Sequence, residues 1–145
     1  MSFVTTEGII LRLHPLTDSS LIVTWLTRDR GRVKTVAKAA RRPNSPFAGQ
    51  LDLFHVATFS FAESRRSELH TLREMKLVRQ PGRLRHDYAV LKTASKLAEY
   101  LNKSLEPEFR DPELYEMCKN YLQSLETGDD AEGERLRKEI WKHLK

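Results

Sequence analysis

The sequence predicts an α+β chain: five β-strands over residues 1–80 folded into a small barrel, then a small α-helical domain of about three helices over residues 81–145. Three observations predict it. Apolar residues alternate with a period of two in five runs up to about residue 80, and from about Arg85 they recur every three or four. The first, second and fourth connections between the runs are short and the third is long. In about 80 residues, five strands mostly joined by hairpins cover their apolar faces by closing into a barrel or by forming a compact sandwich.

Residues 3–13 read as a strand with Ile9, Leu11 and Leu13 on one face, Ile10 opposite, and Gly8 at a bulge or tight bend. After the turn HPLTDSS, the run SLIVTWLT at 20–27 is apolar on both faces, as in a central strand. Arg28-Asp29-Arg30-Gly31 makes a short hairpin loop in which Gly31 can take positive φ. A strand at 31–38 follows, then a loop at 39–51. In the next strand, LFHVATFSFAES, Phe54 and Val56 lie on one face and Phe59 and Phe61 on the other. The fifth strand, about 68–78, carries Leu69, Met75 and Leu77 on one parity. The long third connection is where a five-stranded oligonucleotide-binding barrel, the OB-fold, places its crossover; an SH3-like barrel fits the same pattern.

The helical part opens with a stripe of Tyr88, Leu91, Ala94, Leu97, Ala98, Leu101 and Leu105 that Pro107 stops. Asp111 suits an N-cap with Pro112 at the first helical position, and Leu114, Cys118, Tyr121, Leu122 and Leu125 form the second stripe. Thr127-Gly128 ends it. Asp129 or Asp130 can cap a third helix with Leu136, Ile140 and Leu144 inward and Trp141 beside them.

Charge separates the two parts. Residues 1–98 hold 17 of the 25 basic residues and 8 of the 20 acidic ones. The first part therefore suits a polyanion and the second does not. The densest stretch, Arg28 to Arg42, has seven basic residues against Asp29 alone. Strand parity puts Arg32, Lys34, Val36 and Lys38 on one face at roughly 7 Å spacing, and Val33, Thr35 and Ala37 on the other. The loop AARRPNSP carries Arg41 and Arg42 beyond the strand. A cationic strand running into a cationic loop suits a phosphate backbone; a solvated outer sheet face is the plainer reading. Arg65 and Arg66 join the candidate site with less support. Phe47, in the basic loop, and Phe3 are the rings free to stack bases, while Trp25, Phe54, Phe59 and Phe61 read as core.

Other chemistry finds little footing. Cys118 allows no intrachain disulfide and reads as a buried small hydrophobe in a protein of reducing compartments. His14, His55, His70, His86 and His143 lack ligand spacing, so no metal is expected. Phosphate-cradle and nucleophile-elbow motifs are missing, so neither a cofactor nor catalysis is expected. The opening residues do not read as a signal peptide and no run reaches a membrane span, so a soluble, intracellular protein is expected.

The chain resembles the bacterial RecO family of DNA repair and recombination mediators. TTEGIILRLHPLTDSSLIVTWLTRDRGRVKTVAKAARRPNSPFAGQLDLFHVATFSF, RRSELHTLREMKL and RHDYAVLKTASKLAEYL carry the resemblance, and AKAARRPNSPFAGQLDLF is its most specific part. It covers essentially all 145 residues. The resemblance implies an OB-fold barrel followed by helices, binding of single- and double-stranded DNA, strand annealing, and RecA loading with RecR in the cytoplasm, at the nucleoid. It also implies docking of the acidic tail of single-strand DNA-binding protein on the helical part. The family's basic barrel residues fall here on Arg32, Lys34, Lys38, Arg41 and Arg42. Ala39 stands where the family commonly has glycine, and Asn44 where it has lysine. Relatives carry a cysteine-bearing, often zinc-binding module after the third helix; with Cys118 alone, that module is expected to be absent here. The alternative from another class is an adaptor whose basic face meets an acidic protein tail.

Overall fold

A computed structural model describes residues 2–145. Strands β1 (Phe3–Pro15), β2 (Leu21–Thr27), β3 (Gly31–Ala37), β4 (Val56–Ala62) and β5 (Leu69–Arg79) close in the order β1-β2-β3-β5-β4, with β3 and β5 parallel and every other pair antiparallel. That closure is the five-stranded OB-fold, so the SH3-like alternative falls. The third connection spans 38–55 and is built of turns without a helix. The helices α1 (Arg83–His86), α2 (Tyr88–Ser104), α3 (Pro112–Thr127) and α4 (Asp130–His143) follow.

The length of β1 lets it serve two partners, β4 through Phe3–Ile9 and β2 through Gly8–Pro15. Gly8 sits in the overlap, where a Cβ would lie 2.8 Å from the Phe59 ring. It is needed for this close approach and not for a bulge. The bulge falls at Leu11, between Ile10 and Arg12. Its extra residue reverses the parity beyond it, so Ile9 and Leu11 pack toward the helices while Ile10 and Leu13 pack toward the barrel interior. The expected common face for Ile9, Leu11 and Leu13 is corrected accordingly. Register shifts opposite β4 leave Arg73 and Val78 as extra residues in β5 and bring Leu72 and Met75 together against the interior, which simple alternation missed.

Inside the barrel, Trp25 stacks on Phe59 with ring centroids 3.8 Å apart, and Phe59 on Phe61 at 5.9 Å. The Trp25 indole donates to Thr35 Oγ1 at 3.0 Å, so its buried N–H is satisfied. A second core joins barrel and helices. Ile9, Leu11, Leu26, Phe54 and Val56 on the outer barrel surface cluster with Leu84, Ala98, Leu101, Leu114, Leu122 and Leu136. The helices therefore pack on each other and on the barrel.

Asp87 accepts from the backbone N–H groups of Ala89 and Val90 and starts α2, leaving Tyr88 at an exposed first turn and not in the buried stripe. Asp111 caps α3 ahead of Pro112, Gly128 ends it in the left-handed region, and Asp129 caps α4. Cys118 is buried, and burial pushes its thiol pKa up, as befits a core residue. No helix among the described residues is long and apolar enough to cross a membrane.

Candidate nucleic-acid interface

The face that an OB-fold offers to oligonucleotides lies on β2 and β3, flanked by the β1–β2 and β4–β5 loops. Here β3 alternates as its sequence dictates. Val33, Thr35 and Ala37 are buried, Lys34 and Lys38 are exposed, and Arg32 and Val36 are half-buried. Arg32 and Lys34 thus share the outer face, and Lys38 is exposed one residue past the end of β3, where the chain turns. Among the described residues no carboxylate lies within ion-pair distance of either lysine. Glu68 and Glu108 share a small cleft with Lys34.

Arg41 and Arg42 are exposed where β3 gives way to the long loop. The Arg41 backbone N–H donates to Ser19 O at 2.9 Å and its guanidinium to Thr17 O at 3.1 Å, so the two loops at this end of β3 form one ledge. Ala39 accepts a φ of 58°, the conformation for which glycine is the ordinary choice. Its N–H is held by Ser20 Oγ at 3.2 Å.

Arg65 and Arg66 are exposed on the β4–β5 turn, a tight loop whose N–H groups at Arg66 and Ser67 both donate to Ser64 Oγ. Because Leu69 pairs with Lys34, this turn lies at the opposite end of β3 from Arg41 and Arg42. The two arginine pairs flank the strand and do not meet.

Two expected contacts are corrected. Phe47 is only 6% exposed and closes one end of the barrel, packed with the interior cluster, so its ring is not available to a base. Arg32 keeps its outward parity but is covered. Its Nη2 donates to Leu105 O at 2.6 Å, and its backbone carbonyl accepts from Glu108 N at 3.0 Å. The linker between α2 and α3 fills the slot that opens beside β3 before β5 joins it at Lys34. Phe3 is 53% exposed, but the Arg73 guanidinium lies 3.9 Å over its ring.

One cation was missed. Arg12 of β1 pairs with Thr24 of β2, which pairs with Lys34 of β3, so the three share one side of the sheet, with Thr24 buried between the two cations. Adjacent strands are about 4.8 Å apart, which sets Arg12 roughly 10 Å from Lys34. Arg12 is exposed and, among the described residues, has no carboxylate partner within ion-pair distance. It also rims an open groove of about 570 Å³ between β1 and α2, floored by Leu11, Leu13, Leu53 and Phe54. Its parity depends on the bulge at Leu11, for which the sequence carries no local signal.

Residues 1–81 match the family described as recombination protein O N terminal. The DNA repair protein RecO of Bacillus pumilus (strain SAFR-032) is 30% identical over 129 residues, covering 89% of this chain and 50% of that protein. Its counterpart in Bacillus subtilis (strain 168) is 29% identical over 126 residues, 87% of this chain and 49% of the relative. That of Rhodopirellula baltica (strain DSM 10527 / NCIMB 13988 / SH1) is 35% identical over 110 residues, 76% and 41%. The chain spans about half the length of the curated relatives it matches.

Proposed function

The chain belongs to the RecO recombination-protein family, and from that membership and its cationic barrel face we propose that it is a DNA-binding mediator of recombinational repair that works by binding and not by catalysis. One observation carries the reading. Arg12, Lys34, Lys38, Arg41 and Arg42 lie exposed on the β1–β3 face and its adjoining ledge, unpaired with carboxylates among the described residues. Each neutralised phosphate releases condensed counterions, a favourable contribution that does not depend on base sequence. Such a surface accepts single strands and duplexes alike. By screening two single strands it lets base pairing decide their association, which is the physical content of annealing. Unrelated oligonucleotides of one length are expected to bind within about threefold of each other in fluorescence anisotropy; strong discrimination between sequences would contradict the reading.

Partnership with RecR, the loading of RecA, and a cytoplasmic place at the nucleoid rest on family membership. A tail of single-strand DNA-binding protein has a specific candidate seat. Leu97, Tyr100, Tyr121, Ile140 and Trp141 line an apolar pocket of about 280 Å³ between α2, α3 and α4, with Lys96 and Arg137 beside it, the latter paired with Glu134. An apolar pocket with a lysine beside it, unpaired among the described residues, suits a peptide that ends in an aromatic residue preceded by an acid. Trp141→Ala is expected to weaken such a peptide by about tenfold or more, leaving DNA affinity unchanged. Equal binding by the unaltered chain and the variant would remove this pocket from consideration and leave the tail to the basic face, the adaptor alternative.

A further inference from the structure

Building on the DNA-binding reading, we propose that Phe109, in the linker between α2 and α3, is the base-stacking residue of the barrel face, against which an unpaired nucleobase of a strand lying along β3 packs. Lone exposed apolar side chains are common and by themselves mean little. Phe109 differs in how it is held. It is 64% exposed, yet its backbone is bedded so closely on β3 that a Cβ at Gly31 would lie 2.3 Å from the Phe109 carbonyl oxygen.

The residues before it are pinned in turn. Arg32 O accepts from Glu108 N at 3.0 Å, the Arg32 guanidinium donates to Leu105 O, and Pro107 bridges to Arg32. Glu108 takes a φ of 58°, a strained left-handed conformation for a non-glycine residue. Its carboxylate accepts from His70 Nε2 at 3.1 Å, while His70 Nδ1 accepts from Ser64 N–H at 2.9 Å. These two bonds tie the linker to β5 and to the β4–β5 turn that carries Arg65 and Arg66.

The Phe109 backbone is therefore fixed against Gly31 where β3 begins, next to Arg32 in the strand. An aromatic on a rigid backbone loses little entropy when a base stacks on it. Such stacking tolerates any sequence, because every base has a flat face. It also requires an unstacked base, so the ring gives the face a preference for single strands that the phosphates alone would not supply.

The test is Phe109→Ala, read as the affinity for an oligo-dT single strand and for a duplex of equal length. Single-strand affinity is expected to fall about tenfold, duplex affinity to stay within twofold, and the salt dependence to keep its slope. Unchanged single-strand affinity overturns the inference, and so does an equal loss on both substrates, which would mark a structural role. Phe109→Trp in a Trp141→Phe background gives an independent reading. Its fluorescence should be quenched by oligo-dT and unaffected by duplex; no quenching on a bound single strand overturns the inference. If the unaltered chain binds no oligonucleotide, the DNA-binding reading itself fails; if it binds and Phe109→Ala binds equally, only the stacking role fails.

Discussion

Replacing Arg41 and Arg42 together by glutamate is expected to lower affinity for single-stranded DNA by about a hundredfold or more at moderate salt. Two phosphate contacts are lost and two repulsive charges are set on the ledge that leads off β3. The fold should survive. Both side chains are exposed, and among the described residues their one side-chain hydrogen bond is the exposed contact from Arg41 to Thr17 O. The thermal midpoint of the double variant should therefore stay near that of the unaltered protein. A folded double variant with unaltered affinity would take these arginines out of the site.

The second large effect is on stability. Glu7 of β1 is the polar joint between barrel and helices, and its Oε2 accepts from Tyr115 Oη at 2.5 Å, Lys119 Nζ at 2.9 Å and Arg28 Nη2 at 3.0 Å. Burial by itself would raise the Glu7 pKa. The hydrogen bonds from Lys119 and Tyr115 and the charges of Lys119 and Arg28 outweigh it and hold the carboxyl below its ordinary value of 4.5. Burial and the bond to Glu7 push the Tyr115 hydroxyl pKa upward, keeping it a donor. Glu7→Ala leaves that buried hydroxyl and the Lys119 ammonium without their acceptor, and should cost about 2–3 kcal/mol in denaturant unfolding at neutral pH.

The pH dependence follows from the sign of the shift. A carboxyl with a lowered folded pKa contributes stability that is fully present above its unfolded value, near 4.5, and lost as pH falls through the lower folded one. The gap between the unaltered protein and Glu7→Gln should therefore be widest near neutrality and shrink below about pH 4. A gap that stays constant into acid would mean that the Glu7 charge does not join the two parts.

Much of this was legible in the sequence wherever a regular period ran without interruption. β3 is the clearest case. Seven residues alternate without a bulge, so the parity of Lys34 followed from spacing alone. The caps Asp111 and Asp129 and the stop at Gly128 were equally local signals. What escaped was tertiary. A single extra residue at Leu11 moved Leu13 inward and set Arg12 beside Thr24 and Lys34. Extra residues at Arg73 and Val78 did the same to β5.

Phe47 reads as a loop residue among Pro46, Ala48 and Gly49, and only the geometry of barrel closure shows that one end needs a plug. Arg32 looked like its neighbours on β3 until Leu105, 73 residues later, supplied the carbonyl that occupies it. Phe109 follows Pro107, a helix stop that says nothing about which strand the linker will rest on.

The central claim is that Lys34 on the outer face of β3, Lys38 just past its end and the arginines of its ledge form one surface for sugar–phosphate chains. The salt dependence of single-strand affinity tests it most directly. With Arg12, Lys34, Lys38, Arg41 and Arg42 each on a phosphate, log affinity should fall against log salt with a slope of about −3.5, and Lys34→Gln with Lys38→Gln should reduce it to about −2. A slope near −1, or one that the two glutamines leave unchanged, would contradict it.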